Sequence, residues 1–392
     1  MKKLLILGAG IYQLPLIRQA KAMGVHTIVC SIPGPYPGFA EADECAYTDT
    51  TDVEGCVALA REKRIDGVIT AGTDVALPAM GAICDRLHLP GPSLASARLS
   101  ADKFEMKTAF EAAGVPTAKF RRVRSVGDCL EAMDALRGPW ILKVVDSSGS
   151  RGIVKVADAS QIRQVFDGLW RYTKRDFVLM EEYLTGEEFG AQALVAGGRV
   201  RFVLPHGDEV HQVLTGIPVG HYVPYPMPKP VCEQTLSTVG AAIRALGIDN
   251  AAVNADLMLC GDQVYVLEVG ARSGATCLPE LVSEHYGLNY YEILIRMALG
   301  EALPERFEPH GAAVAELLYS ERQGRVQALP APVSHPALVC CGCDYGVGDT
   351  VPAFRTGPDR IGQIVVRGQT LEEARQAMQT LKPLVQAQIV YD

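Results

Sequence analysis

Two acidic residues, Asp256 and Glu268, stand on two short apolar runs that a Gly-Asp pair separates. Apolar runs on either side of such a pair predict a β-hairpin. With a loop over 261–263, Asp256 faces Glu268 directly, with the Cβ atoms roughly 5 Å apart. Facing carboxylates repel each other unless a cation lies between them, and a hard divalent ion suits that position. With Arg272 four residues further on, the set predicts phosphoryl transfer, and the alternative is a surface hairpin with solvated acids.

A second candidate is Lys143, which lies among apolar residues of a predicted strand over 139–145. A lysine in a buried strand is costly unless its charge is paired. The loop over 146–152 is small and polar, and the chain returns as a strand over 153–156. Backbone N–H groups of such a loop can hold phosphates, although the Gly-Lys-Ser/Thr ending and following helix of a Walker loop are missing. The pattern predicts a flap over a nucleotide, and a plain hairpin is the alternative.

Two further segments have the residue types of a nucleotide site. Lys103 lies on the first turn of a predicted helix, where it is either a phosphate ligand or a solvated lysine. The apolar strand that begins at Phe177 runs into an acidic and aromatic turn over 181–190. Backbone groups of such a turn can read an adenine edge, and an acid a few residues later can hold ribose hydroxyls. Acids after a strand are also commonly just solvated.

The elements in front of these residues alternate between strands and helices. An apolar run over 2–7, a Gly-Ala-Gly turn, a helix and a strand over 26–30 predict a βαβ unit. The turn suggests a dinucleotide site, but Gln13 occupies the third glycine position and no acid follows the second strand, which argues against a dehydrogenase. Gly10 and Asp74 follow strands at the sheet edge where ligands bind, so they line one pocket or are simply turn residues.

Composition restricts the class of protein. The net charge of −8 argues against a nucleic-acid partner, and no apolar run is long enough to cross a membrane. The apolar start is too short for a signal peptide, and the eleven cysteines lack a paired framework, so we expect reduced thiols in the cytoplasm. The cluster Cys340-Cys341-Gly342-Cys343 has only His335 nearby as a further metal ligand, which disfavours a metal site there.

In their order along the chain, these features resemble the ATP-grasp superfamily. The resemblance is to the group of biotin carboxylase, the carboxylating enzymes of purine synthesis, carbamoyl-phosphate synthetase and L-amino acid ligases, and it covers nearly the whole chain. It implies an α/β fold with a Rossmann-like N-terminal domain over 1–95 and an ATP-grasp domain over 96–310. In the ATP-grasp domain two α+β subdomains clasp ATP, and the mobile flap subdomain comprises about 120–190. A β-rich C-terminal subdomain over 311–392 would end in a helix over 370–379 and a strand over 385–391.

The resemblance also implies a role for each candidate residue. ATP would be bound by the two lysines, the flap, the adenine segment and a ribose acid: Lys103, Lys143, Ser147, Ser148, Gly149, Ser150, Gly152, Glu181, Glu182, Tyr183, Leu184 and Glu188. Asp256 and Glu268 would hold Mg²⁺, with Mn²⁺ as an alternative ion. Arg272 and Lys143 would act in catalysis. Many members carry Asn at the position of Gly270, whereas relatives with Glu-x-Gly-x-Arg mark a subgroup.

The substrate side is less defined. Three histidines, His206, His211 and His221, fall within sixteen residues. In the ATP-grasp architecture this region faces the carboxylate substrate, so His206 and His211 could orient it or act as a base, together with Gly10, Asp74 and Arg272. The alternative is a polar crossover loop whose histidines are satisfied.

The predicted activity is that of an ATP-dependent, ADP-forming ligase that joins a small-molecule carboxylate to an amine through an acyl phosphate. A carboxylating or formate-using enzyme of the purine-synthesis type is the second hypothesis, and a non-catalytic nucleotide-binding module is the third. Neither nucleic acid nor membrane is an expected partner, and a homodimer is left open.

Overall fold

The structure is a computed structural model that describes residues 1–146, 152–211 and 216–386, with the backbone of 390–391. Across these residues, no helix combines the length and the apolar composition that crossing a membrane requires.

The chain begins with a parallel four-stranded sheet in the order β3-β2-β1-β4. The first two strands are almost entirely buried, which explains the apolar run in β1 and the mainly apolar β2. The elements in this part are β1 (Lys3–Leu7), α1 (Leu14–Ala22), β2 (His26–Ser31), α2 (Pro37–Glu41), β3 (Glu44–Tyr47), α3 (Val53–Lys63), β4 (Gly67–Ile69) and α4 (Leu77–Leu87).

Two helices lead from this sheet to a second, antiparallel sheet. The side chain of Asp102 accepts hydrogen bonds from the N–H groups of Phe104 and Glu105, and it thereby caps the second helix and fixes Lys103 as its first residue. The sheet has the order β5-β8-β6-β7 and packs against two helices of its own. The elements are α5 (Leu94–Ala101), α6 (Lys103–Ala112), β5 (Phe120–Val123), α7 (Val126–Ala135), β6 (Trp140–Lys143), β7 (Ile153–Val156), α8 (Ala159–Leu169) and β8 (Val178–Glu182).

An eight-stranded sheet forms the centre of the molecule. Its strand order is β13-β12-β9-β10-β11-β14-β18-β16, so strands from the C-terminal region extend the sheet that carries the acidic hairpin. The elements from β9 to β14 are β9 (Glu187–Ala196), β10 (Arg199–Val210), β11 (Pro218–Val223), α9 (Lys229–Ala245), β12 (Ala251–Cys260), β13 (Gln263–Gly270), α10 (Leu278–Tyr286), α11 (Tyr290–Ala298) and β14 (Ala312–Leu318).

The C-terminal region adds a small sheet in the order β17-β15-β19. Its elements are β15 (Gly324–Ala328), β16 (Leu338–Cys343), β17 (Thr350–Val351), β18 (Gly362–Gly368), α12 (Leu371–Gln386) and β19 (Val390–Tyr391). The predicted strand over 385–391 is therefore wrong in its first part, because α12 continues past Pro383. Burial of Leu381 and Val385 against the neighbouring core at helical spacing stabilises this extension.

The hairpin of β12 and β13 pairs Asp256 with Glu268, as predicted, but by a different route. The loop contains two residues rather than three, since Cys260 pairs with Gln263. That loop alone would place Asp256 opposite Leu267 and put the two carboxylates on opposite faces. A register shift between Asp256 and Leu257 inserts one residue and brings both acids to the same face.

Candidate active site

The two facing carboxylates lie on one face of the central sheet. Glu268, Asp256 and Gly190 are register partners on β13, β12 and β9, and Gly190 pairs in turn with His206 on β10. Burial, followed by the charges of Glu268 and Asp208, raises the pKa of Asp256 to about 7. The site thus has an excess of negative charge that a cation would relieve.

Lys103 stands beside these acids. Its Nζ lies 2.8 Å from Oε1 of Glu268, and its side chain is only 10% exposed. Burial lowers the pKa of Lys103, but the charges of Glu268, Asp74 and Asp256 outweigh burial and leave it raised. A cavity of about 210 Å³ is lined by Lys103, Glu268, Asp74 and Asp146, among others. Gly10 is not among the residues that line this cavity.

Arg272 is fixed by Asp74 across the boundary between two sheets. Its Nε and one terminal nitrogen each donate to a carboxylate oxygen of Asp74 at 2.8 Å, and its other terminal nitrogen donates to the carbonyl of Ser273. This bidentate pair accounts for the glycine at 270, because a Cβ there would lie 2.7 Å from Oδ1 of Asp74. Gly270 therefore leaves room for the Asp74 carboxylate.

We expect Gly270→Ala to destabilise the protein by about 1–3 kcal/mol, because the added methyl group collides with the Asp74 carboxylate. Urea unfolding of Gly270→Ala measures the cost. Gly342→Ala is the matched control, since it adds the same methyl group to another strand glycine that has open space around it. Equal stabilities for the two variants would show that Asp74 does not require a glycine at 270.

Lys143 shares a buried carboxylate with a second lysine that the sequence analysis did not identify. Nζ of Lys143 lies 2.7 Å from Oε1 of Glu181, and Nζ of Lys107 lies 3.3 Å from Oε2. The contact of Lys143 is an ion pair without hydrogen-bond angles, so Oε1 has no hydrogen-bond donor within the described residues. Burial raises the pKa of Glu181, but the two lysine charges outweigh burial and lower it.

Lys107 is the more deeply buried of the two lysines. Its side chain is 1% exposed and donates to the hydroxyl of Thr117 at 2.6 Å. Burial is the main cause that lowers its pKa to about 8. Lys107 lies one helical turn after Lys103 and one turn before the buried Phe110, and that spacing is the signal that could have identified it. Two lysines on one carboxylate leave one positive charge available for a ligand.

This arrangement predicts strongly non-additive stabilities. Lys107→Met and Lys143→Met should each change the free energy of unfolding by about 1 kcal/mol or less, because Glu181 keeps one lysine. The double variant should lose about 3–5 kcal/mol, because it leaves a buried carboxylate without a counter-charge. A double-mutant cycle from urea unfolding measures the coupling, and additive single effects would contradict a shared carboxylate.

The predicted adenine segment, residues 181–184, begins within β8 and continues past its end. The N–H groups of Glu182 and Tyr183 donate to the carbonyls of Lys119 and Pro139, and the Glu182 side chain accepts from the N–H of Arg137. Among the described residues, the N–H of Leu184 has no partner. Lys155 lies 3.6 Å from the centre of the Tyr183 ring. Glu188 is exposed at the start of β9.

The predicted flap lies between β6 and β7, which pair with Lys143 opposite Ile153. Ser147, Ser148, Gly149 and Ser150 lie outside the described residues. Gly152 is described, and its φ of +71° is a conformation that favours glycine. The carbonyl of Gly152 accepts from the N–H of Val144, so this glycine closes the turn at the end next to Lys143.

The structure separates the predicted histidines. His206 and His221 both contact Asp208 on the face that carries Asp256. His211 instead pairs with Glu321 at 2.9 Å and packs against the rings of Tyr319 and Phe354. His221 and Asp208 were not among the predicted site residues, and only the pairing of β10 with β11 brings them there.

Gly10 belongs to a closed turn after β1. Its N–H donates to Oε1 of Gln13 at 2.9 Å, and Nε2 of Gln13 donates to the carbonyl of Ala71. A Cβ on Gly8 would collide with the Gln13 side chain, which therefore fills the turn that a dinucleotide would need open.

Comparison with known proteins gives consistent matches. Residues 100–276 match the ATP-grasp domain, and residues 316–390 match the L-amino acid ligase C-terminal domain 2. The chain is 33% identical to a phosphoribosylglycinamide synthetase from Anaerococcus prevotii, with a TM-score of 0.85 over 100% of this chain and 99% of that one.

Two other relatives extend the comparison. A formate-dependent phosphoribosylglycinamide formyltransferase from Mycolicibacterium vanbaalenii is 26% identical over 326 residues, 79% of each chain. An L-amino acid ligase from Bacillus licheniformis shares the fold, with a TM-score of 0.80 and 18% identity over 100% of this chain and 99% of that one. The facing acids, the flanking lysines and these matches lead to one conclusion: the chain belongs to the ATP-grasp superfamily and is an ATP-dependent, ADP-forming ligase.

Proposed function

We propose that this ligase activates a small-molecule carboxylate as an acyl phosphate, which an amine then attacks to form an amide. The observation that carries the proposal is the facing pair of Asp256 and Glu268, flanked by Lys103 and Arg272. Facing acids with fixed cations beside them suit the transfer of a phosphoryl group to an anionic acceptor.

The residues present fit Mg²⁺. Asp256 and Glu268 offer carboxylate oxygens, and burial, followed by the charges of Glu268 and Asp208, raises the pKa of Asp256. These are the oxygen ligands that Mg²⁺ or Mn²⁺ prefers, so Asp256 and Glu268 would hold the ion. Such an ion would neutralise charge on the transferring phosphoryl group.

ATP would occupy the cleft between the four-stranded antiparallel sheet and the central sheet. Lys103, Lys143 and the segment over 147–152 would contact its phosphates, because Glu181 needs only one of its two lysines. The segment over 181–184 would read the adenine through backbone groups, including the N–H of Leu184, which has no partner among the described residues. Glu188 would bind the ribose.

Arg272 would hold the acyl phosphate. Its guanidinium is fixed by Asp74 at 2.8 Å, so its orientation is set before any substrate arrives. A planar cation of this kind binds a carboxylate or phosphate in a defined orientation. Asp74 is thus a positioning residue for Arg272, rather than a substrate ligand.

The substrates are proposed by class. The match of residues 316–390 to an L-amino acid ligase domain supports an amino acid as carboxylate or amine. The formate-dependent relative supports formate or bicarbonate as the second hypothesis. We also propose that the domains meet at residues 95 and 310 and that two copies of the chain assemble as a dimer.

A screen of ADP release tests the proposed function. Purified protein with MgATP is supplied with a panel of carboxylic acids crossed with the standard amino acids, and with formate and bicarbonate as separate acids. We expect ADP release that requires both a carboxylate and an amine. ADP release that depends on formate or bicarbonate alone would favour the second hypothesis, and release of AMP would contradict both.

A further inference from the structure

A cluster of His206, Asp208 and His221 lies on the face of the central sheet that carries Asp256, but apart from the predicted metal ligands. Nδ1 of His206 and Nδ1 of His221 lie 2.8 and 2.6 Å from the same oxygen of Asp208. The three ligand atoms lie within 4.8 Å of one another, which by itself also suggests a metal site. Both histidines are almost fully buried.

The position of each proton follows from the neighbouring amides. The N–H of Gly274 must donate to an oxygen, and it contacts Oε1 of Gln192 at 2.9 Å. The Gln192 amino group therefore faces Oδ1 of Asn254 at 2.6 Å and Nε2 of His206 at 3.4 Å. Because an amino group only donates, Nε2 of His206 is the acceptor and its Nδ1 carries the proton.

This assignment disfavours a metal ion on the cluster. A metal would need the lone pair of Nδ1 of His206, and that nitrogen instead donates to Asp208. The same oxygen of Asp208 lies within hydrogen-bond distance of Nδ1 of both rings, so Asp208 is the acceptor for both. His221 then donates from Nδ1, and its Nε2 has no hydrogen-bond partner among the described residues.

The position of His221 suits the second half of the reaction. Asp208 and His221 are directly opposite on β10 and β11, while His206, Gly190 and Asp256 are register partners on the neighbouring strands. Three strand spacings separate His221 from Asp256, about 14 Å.

We propose that His221 is the general base that deprotonates the amine acceptor, with Asp208, His206 and Gln192 as positioning residues. The proposal rests on the proposed function and specifies the acceptor as an amine that arrives as an ammonium ion. The carboxylates of Asp208 and Glu188 attract that cation to the same face. Asp208 keeps the Nδ1 proton on His221, so that Nε2 presents its lone pair.

One ammonium N–H bond breaks, and its proton moves to Nε2 of His221. The freed electron pair forms the C–N bond to the acyl carbon, and the C–O bond to the phosphoryl group breaks. A second proton leaves the nitrogen with the departing phosphate, and the imidazolium later releases its proton to solvent. No oxidant or reductant takes part.

The test compares two nucleophiles on the same acyl phosphate. Hydroxylamine is neutral near pH 7 and needs no base, and it traps an acyl phosphate as a hydroxamate. For His221→Asn, which keeps a donor toward Asp208, we expect kcat for amide formation to fall about 10²-fold or more. Hydroxamate formation should stay within about threefold of the wild type, because general-base assistance is the only contribution removed. Asp208→Asn should show the same pattern, a large loss of amide formation with little loss of hydroxamate formation.

His285→Asn is the matched control. His285 is also buried and hydrogen-bonded through Nδ1, to the carbonyl of Gly311 at 2.7 Å, but it lies outside the cluster. We expect both of its rates to be unchanged. Melting curves for all variants show whether a lost activity comes from misfolding. If His221→Asn does not fold, Asp208→Asn tests the proposal, with the same expected loss of amide formation and retained hydroxamate formation.

The outcomes separate this inference from the proposed function. If folded His221→Asn loses amide formation and hydroxamate formation equally, or loses no amide formation, His221 is not the general base. A stoichiometric transition metal in the purified protein that Asp208→Asn abolishes would also overturn this role. A wild-type protein that forms neither ADP nor hydroxamate with any carboxylate would overturn both proposals.

Discussion

Glu268→Gln is expected to lower the rate of ADP formation on the order of 10³-fold, the largest effect of any single substitution proposed. The variant keeps the shape of the side chain but removes one of the two facing carboxylates and the partner of Lys103, 2.8 Å away. Loss of a divalent ion from phosphoryl transfer costs several kcal/mol of transition-state stabilisation, and about 4 kcal/mol corresponds to this factor.

Steady-state ADP release at saturating MgATP measures the effect, and a nucleotide-binding titration shows that binding survives in part through the lysines. Asp262→Asn is the matched control, because it removes an exposed carboxylate from the turn of the same hairpin. Near-normal turnover of Glu268→Gln would remove the metal site from the account.

The second large effect is expected for Lys143→Met, in nucleotide binding. Glu181 keeps Lys107 as a counter-charge, so the nucleotide-free protein should be no less stable than the wild type. Binding of MgATP should weaken by about 1.5–3 kcal/mol, the range for a hydrogen bond to a charged group, or about ten- to a hundredfold in Kd.

Melting curves across an MgATP titration measure this effect, since a ligand stabilises the folded state according to its affinity. Lys229→Met is the control, because Lys229 is exposed on α9 and pairs with Glu233 of its own helix. If Lys143→Met gains the same stability as the wild type at each MgATP concentration, Lys143 does not bind phosphate.

The local features of this site could be predicted from the sequence. Apolar runs around a Gly-Asp turn predicted the hairpin. The lysine in the apolar strand, expected to bind phosphate, pairs with Glu181 in the structure. The predicted pairing of Asp256 with Glu268 is correct, but the predicted three-residue loop is not. The loop has two residues, and a bulge between Asp256 and Leu257 restores the pairing. Such a compensation has no signal in the residue types of the hairpin.

The long-range contacts could not be predicted in this way. Glu181 meets Lys107 only after β8 and α6 pack together, and nothing in the local sequence of either segment specifies the other. His221 was passed over for His211 because both lie in a polar stretch, and only the pairing of β10 with β11 aligns His221 with Asp208. The local sequence gives no reason for a glycine at 270. The reason is the Asp74 carboxylate, which a Cβ at that position would contact.

The central claim is that the carboxylate substrate becomes an acyl phosphate, and oxygen-18 in that carboxylate tests it most directly. The substrate identified by ADP release is labelled in both carboxylate oxygens, and the inorganic phosphate formed with the amide is analysed by mass spectrometry. An acyl-phosphate route predicts one oxygen-18 atom in each phosphate released. Unlabelled phosphate alongside a labelled amide would contradict the account.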